Sequence, residues 1–209
     1  MDAEDFGVSR VARNWYGPGS ASLEELRAET ARRSLPHEHP LATRIEAEQV
    51  PVYDCERLRA LVDSPDGRRR IMAEWVSVLK DGAGIVVLER CFGDTAPVDR
   101  ATAAFERIIA DEKRHGAGAG DHFAKAGAND RVWNALEKFC LLDPEGFAGY
   151  YGNAMIALVS EAWLGPAYQV TSQVNVVRPG GAAQTPHRDY HLGFQAAEVV
   201  RHFPVHVHR

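Results

Sequence analysis

The chain is 209 residues long, enough for one domain with a real core, and its 45% hydrophobic and 25% charged residues argue against disorder or a fibrous class. Lys plus Arg number 24 against 29 Asp plus Glu, and the net charge of -5 offers no general field for nucleic acid or an anionic membrane. The acidic start Met1 to Asp5 is no secretory signal, no apolar run approaches a membrane span, and the scattered Cys55, Cys91 and Cys140 draw neither a metal knuckle nor a disulfide framework, so a reducing cytoplasm is expected.

Residues 1–66 read as an irregular arm or partial lid, broken by Gly17, Pro18, Gly19, Pro36, Pro40 and Pro51. One helix is signed inside it, where Ser22 and Glu25 form a capping box before Leu23 and Leu26. After a turn at Ser64 to Gly67, the spacing of Ile71, Met72, Trp75, Val78 and Leu79 predicts a helix that Asp81 and Gly82 end. Ile85 to Leu88 is short and β-branched, which predicts a strand buried on both faces. A second helix, expected beside the first, follows Pro97 and carries Val98, Ala101, Phe105, Ile108 and Ile109.

The run His115 to Gly120 reads as a loop, since Asp121 stands where a dinucleotide fingerprint needs its third glycine. Val132, Trp133, Leu136, Phe139 and Cys140 predict a further helix. Another opens with Asp143 as cap and Pro144 at its first position, and it is expected to run through Phe147, Tyr151, Met155, Leu158 and Trp163 to Gly165.

From Tyr168 to Val177 the alternation predicts a strand with Tyr168, Val170, Val174 and Val176 on one face and Gln169, Thr171, Gln173 and Asn175 on the other. Arg178 to Gly181 is a turn, and a second extended piece carries Gln184, His187, Asp189 and His191. Residues two apart on a strand share a face, so His187 and Asp189 can reach one ion. An imidazole and a carboxylate are two corners of the facial triad that leaves Fe(II) open for substrate chemistry. The alternative for that pair is a hydrogen-bonded surface turn. His191, His206, His208 and Lys125 read more simply as solvated or supporting residues. His187-Arg188-Asp189 copies a kinase catalytic-loop triplet, but the kinase asparagine would fall at Phe194, and no glycine-rich nucleotide loop accompanies it.

The stretch Gln173 to Phe194, with Pro179-Gly180-Gly181 ahead of His187 and Asp189, resembles the first metal-ligand strand of the phytanoyl-CoA dioxygenase-like family of oxygenases. The resemblance implies an α+β fold, with N-terminal helices packed on an incomplete double-stranded β-helix of the jelly-roll, cupin-like kind. Residues 67–209 would be the N-terminal part of such a domain. It further implies Fe(II) and 2-oxoglutarate as cofactor and co-substrate, with decarboxylation to succinate coupled to hydroxylation of a small organic substrate. His187 and Asp189 would hold the metal, and Gln173, Asn175 and Gln184 would contact the co-substrate or substrate. The family places a second iron-binding histidine and a 2-oxoglutarate-binding arginine further downstream, so the chain is expected to be C-terminally shortened and to turn over little by itself. The competing expectation is a non-catalytic jelly-roll-like binding module, with or without metal. Neither substrate identity nor oligomeric state is legible.

Overall fold

The computed structural model describes residues 22–115 and 129–181, and the chain divides into two units, Met1–Ala31 with Ala183–Arg209, and Arg32–Ala182. In the first unit the described element is α1 (Leu23–Thr30), where the Ser22 hydroxyl accepts from the Glu25 amide at 3.2 Å, as the capping sequence predicts.

The second unit runs β1 (Arg44–Glu46), β2 (Val50–Asp54), α2 (Cys55–Val62), α3 (Pro65–Asp81), β3 (Val87–Glu89), α4 (Ala96–Arg114), β4 (Asn129–Val132), α5 (Ala135–Leu142), α6 (Pro144–Tyr151), α7 (Ala154–Leu164) and β5 (Val174–Val177). Four of its helices start where a short polar side chain accepts from the first-turn amides. Asp54 takes Glu56 at 3.0 Å, Ser64 takes Gly67 at 3.0 Å, Asp143 takes Gly146 at 2.9 Å, and Asn153 takes Met155 and Ile156 at 2.9 and 3.1 Å.

The first sheet has the order β1-β2-β3, antiparallel then parallel. Arg44 spans it from β1 to the Glu89 carboxylate on β3, with bonds of 2.8 and 2.6 Å. Residues 44–62 therefore carry two strands and a helix where irregular chain was expected. Their apolar side chains complete a core: Tyr53, Cys55 and Leu58 pack with Ile71, Trp75, Met155 and Leu158. A second core gathers Phe105, Ile108 and Ile109 of α4 with Val132, Ala135 and Phe139. The expected side-by-side packing of the first two long helices is replaced by this division, since α3 lies against α2 and α7, whereas α4 lies against α5, α6 and β4.

Three further expectations change. β3 is an edge strand, and Ile85 and Val87 are 54% and 39% exposed, so it is not buried on both faces. Val132 belongs to β4 and Trp133 lies outside α5, because Asn134 takes a left-handed conformation (φ 52°) between strand and helix. The helix expected from Pro144 to Trp163 is two helices separated at Gly152 and Asn153; Phe147 and Tyr151 join one core, Met155 and Leu158 the other. The described residues mix helices with a three-stranded sheet and a two-stranded ribbon, compatible with the α+β class, and among them no double-stranded β-helix is formed.

Glu74 on α3 accepts from the Leu41 amide at 3.2 Å on both carboxylate oxygens and interacts with the buried Tyr53 phenol. Burial pushes its carboxyl up, against the opposing pull of Tyr53, the Leu41 and Ala42 amides and His39. A raised carboxylate stabilises the fold while protonated, and that contribution is lost as pH rises through the folded value. Urea unfolding should therefore show the native chain losing stability relative to Glu74→Gln as pH rises through and above the ordinary carboxylate range, whereas parallel curves would contradict it.

Candidate functional site

β4 and β5 form an antiparallel ribbon in which Asn129, Asp130, Arg131 and Val132 face Val177, Val176, Asn175 and Val174 in turn. The pleat sorts these residues by chemistry. Val132 and Val174 turn to the second core, against Phe105 and Ile109. Gln173, Asn175 and Arg131 share the other face, as the alternation of residues 173–176 predicts, although the strand starts at Val174 and not at Tyr168.

Long-range polar contacts hold this register. The Asp130 side chain is 2% exposed and pairs with Lys113 from α4 and with Arg178 just past β5, whose Nε donates to Oδ2 at 2.7 Å. Burial pushes the Asp130 carboxyl up, but the hydrogen bonds and charges of Lys113 and Arg178 outweigh it and hold it below the usual carboxylate range. The Tyr151 hydroxyl donates to Ser172 at 2.8 Å, and the Ala135 amide donates to the Ser172 carbonyl at 3.2 Å, fixing the chain ahead of β5 to α5 and α6. Beyond β5 the chain reverses at the expected turn: the Gly181 amide donates to the Arg178 carbonyl at 2.8 Å, and Gly180 has φ 84°, where a side chain would be strained.

On the amide face, the Arg131 guanidinium stacks on Trp133 at 4.1 Å from the ring centroid and donates through Nη2 to the Gln173 oxygen at 2.5 Å. That contact settles which end of the Gln173 amide is which, and it directs the Nε2 donors away from Arg131. The Asn175 side chain is exposed on the same face, opposite Arg131. One cation and two amides are suited to a carboxylate-bearing molecule. They include no imidazole, thiolate or carboxylate, and among the described residues no group of three His, Cys, Asp or Glu could hold an ion. Gln184, His187 and Asp189 lie outside the described residues, as do Lys125, His191, His206 and His208.

Sequence reasoning passed over Arg131, Asp130 and Lys113. Asn129 to Val132 is too short for a clear period, and Asp130 and Arg178 are 48 positions apart. Replacing Asp130 by Asn should cost about 2 kcal/mol in urea unfolding at neutral pH, the scale of hydrogen bonds to a charged group. Its lowered carboxyl contributes stability above the ordinary carboxylate range and loses it as pH falls through the folded value, so the gap should close in acid; an equal gap at all pH would contradict the pairing.

No helix among the described residues is long and apolar enough to cross a membrane. No curated protein and no solved structure matches the chain. Residues 81–207, more than half of the chain, match the family described as Phytanoyl-CoA dioxygenase (PhyH). The match takes in α4, β4, the three helices after it and all of β5, and it continues through the segment that carries His187 and Asp189. This chain belongs to the phytanoyl-CoA dioxygenase family.

Proposed function

We propose that the chain is an Fe(II)- and 2-oxoglutarate-dependent oxygenase of a small organic substrate, with His187 and Asp189 as iron ligands. The family match over residues 81–207 carries the reading, because that family's members generally use this metal and co-substrate. In the same reading β4 and β5 are opening strands of a double-stranded β-helix, and Gln184 joins Gln173 and Asn175 in contacting co-substrate or substrate. All three cysteines are free, which supports a reducing, cytoplasmic setting.

Iron and 2-oxoglutarate, when bound, would activate dioxygen, the oxidant for the hydroxylation. The chain's own residues hold and orient. His187, as a neutral imidazole, and Asp189, as a carboxylate, would hold the metal and leave it positions for the reactants. The Gln173 amide, turned by Arg131, offers N–H donors to a carboxylate without adding charge, and Asn175 does the same from the next position on that face. Trp133 keeps the Arg131 guanidinium in place, so the amide is oriented before any ligand arrives.

Anaerobic calorimetric titration with Fe(II) should give a saturable site that both His187→Ala and Asp189→Ala abolish. Unchanged Fe(II) binding in either variant would remove the assignment, and no saturable Fe(II) binding by the native chain would leave a metal-free binding module. With Fe(II) present, Gln173→Leu should weaken 2-oxoglutarate about tenfold, the loss of roughly one hydrogen bond to a charged group; an unaltered affinity would remove Gln173 from the co-substrate's partners.

A further inference from the structure

Cys55 and Cys91 are 36 positions apart and promise no pairing as sequence, but the first sheet brings them together. Cys55 opens α2 directly after β2, and Cys91 lies two residues past β3. The two strands are parallel, with Asp54 opposite Glu89, so the two chains leave the sheet at the same end. Cys91 packs against the buried core to which Cys55 belongs. Cys55 is fully buried, whereas Cys91 is half-buried and lines an open hollow of about 600 Å³ with Arg59, Phe92, Gly93, Asn153 and Met155.

The backbone at Cys91 is pinned from two sides. Arg59 Nη2 donates to the carbonyls of Arg90 and Cys91 at 2.9 and 3.1 Å, and Asn153 Nδ2 donates to the Cys91 carbonyl at 3.0 Å. The Cys91 thiol donates weakly to the Asn153 side-chain oxygen at 3.5 Å. A core cysteine needs none of this, since burial alone accounts for Cys55. A thiol on the wall of a solvent-open hollow that Arg59 also lines, packed on the core that holds a buried second thiol, has the layout of an attacking and a resolving cysteine.

We propose that Cys91 and Cys55 are a redox-active thiol pair that a hydroperoxide converts to an intramolecular disulfide. The Cys91 sulfur attacks the terminal O–H oxygen of the hydroperoxide; an S–O bond forms, the O–O bond breaks, and the other oxygen leaves as water or an alcohol with the Cys91 proton. Cys55 then attacks the Cys91 sulfur, the S–S bond forms, and the S–O bond breaks to release water with the Cys55 proton. One peroxide accepts two electrons, and two thiols supply them. Burial pushes the Cys55 thiol up to about 12 and raises Cys91 too, while Arg59 pulls both the other way. The pair therefore rests as two thiols at neutral pH, and alkaline conditions speed the first attack.

The test uses the full 209-residue chain, treated with hydrogen peroxide at mildly alkaline pH, then unfolded, alkylated and mapped by mass spectrometry. A Cys55–Cys91 linked peptide pair, lost on treatment with dithiothreitol, is expected, and Cys140 should not take part in it. In Cys55→Ser the resolving thiol is gone, and Cys91 should accumulate a sulfenic acid that dimedone traps. Recovery of Cys55 as a free thiol once Cys91 is oxidised to sulfinic acid would overturn the proposal. So would absence of the linked pair under conditions that oxidise Cys140, or absence of the dimedone adduct at Cys91 in Cys55→Ser.

Discussion

The Asp130 carboxylate, buried between Lys113 and Arg178, is the contact on which the candidate site depends. A carboxylate withdrawn from water is costly unless opposite charge and hydrogen bonds replace the lost hydration, and here two cations from two other elements do so. The consequence is geometric as much as energetic. Lys113 comes from the last turn of α4 and Arg178 from the residue after β5, so Asp130 can be satisfied only when α4, β4 and β5 are all in place. A shift of β5 by one residue would turn its polar side chains toward the apolar core and bring Val174 out. The ion pairs and the Val132–Val174 contact oppose that shift together.

Around this ribbon the fold is segmented by caps. Gly152 and Asn153 break what would be one long helix, and the break lets Phe147 and Tyr151 serve the α4 core while Met155 and Leu158 serve the α3 core. Asn153 does two jobs with one side chain. Its oxygen caps α7, and its amide nitrogen holds the Cys91 carbonyl, so the helix start and the wall of the hollow are set by the same residue. The amide face of the ribbon is likewise shaped by a neighbour, since Arg131 decides which way Gln173 presents its donors.

Local chemistry was legible in the sequence where one residue acts on its near neighbours. Ser22, Asp143 and Pro144 marked real helix starts, Pro97 stands at the beginning of α4, and Arg178 to Gly181 marked a real turn. Ser64 and Pro65 were read as a turn but are the cap and first residue of α3, the same signal carried into a helix. Periodicity misled where a strand and a helix adjoin: Val132 and Trp133 extend the stripe of Leu136 and Phe139 on paper, and only the left-handed Asn134 separates them in space. Contacts between distant positions, such as Asp130 with Arg178 and Arg131 with Gln173, leave no local signal. Of the candidate site, the alternation at residues 173–176 was legible, and the arginine that organises its amides was not.

The functional account comes down to whether the chain following β5 grips a ferrous ion through His187 and Asp189. The most direct measurement is a crystal structure of the protein grown with Mn(II) as an oxygen-stable substitute for Fe(II), with anomalous data collected for the metal. The account predicts an anomalous peak bonded to an imidazole nitrogen of His187 and a carboxylate oxygen of Asp189. A peak held by other residues, or the two side chains directed away from each other with no metal between them, would contradict it.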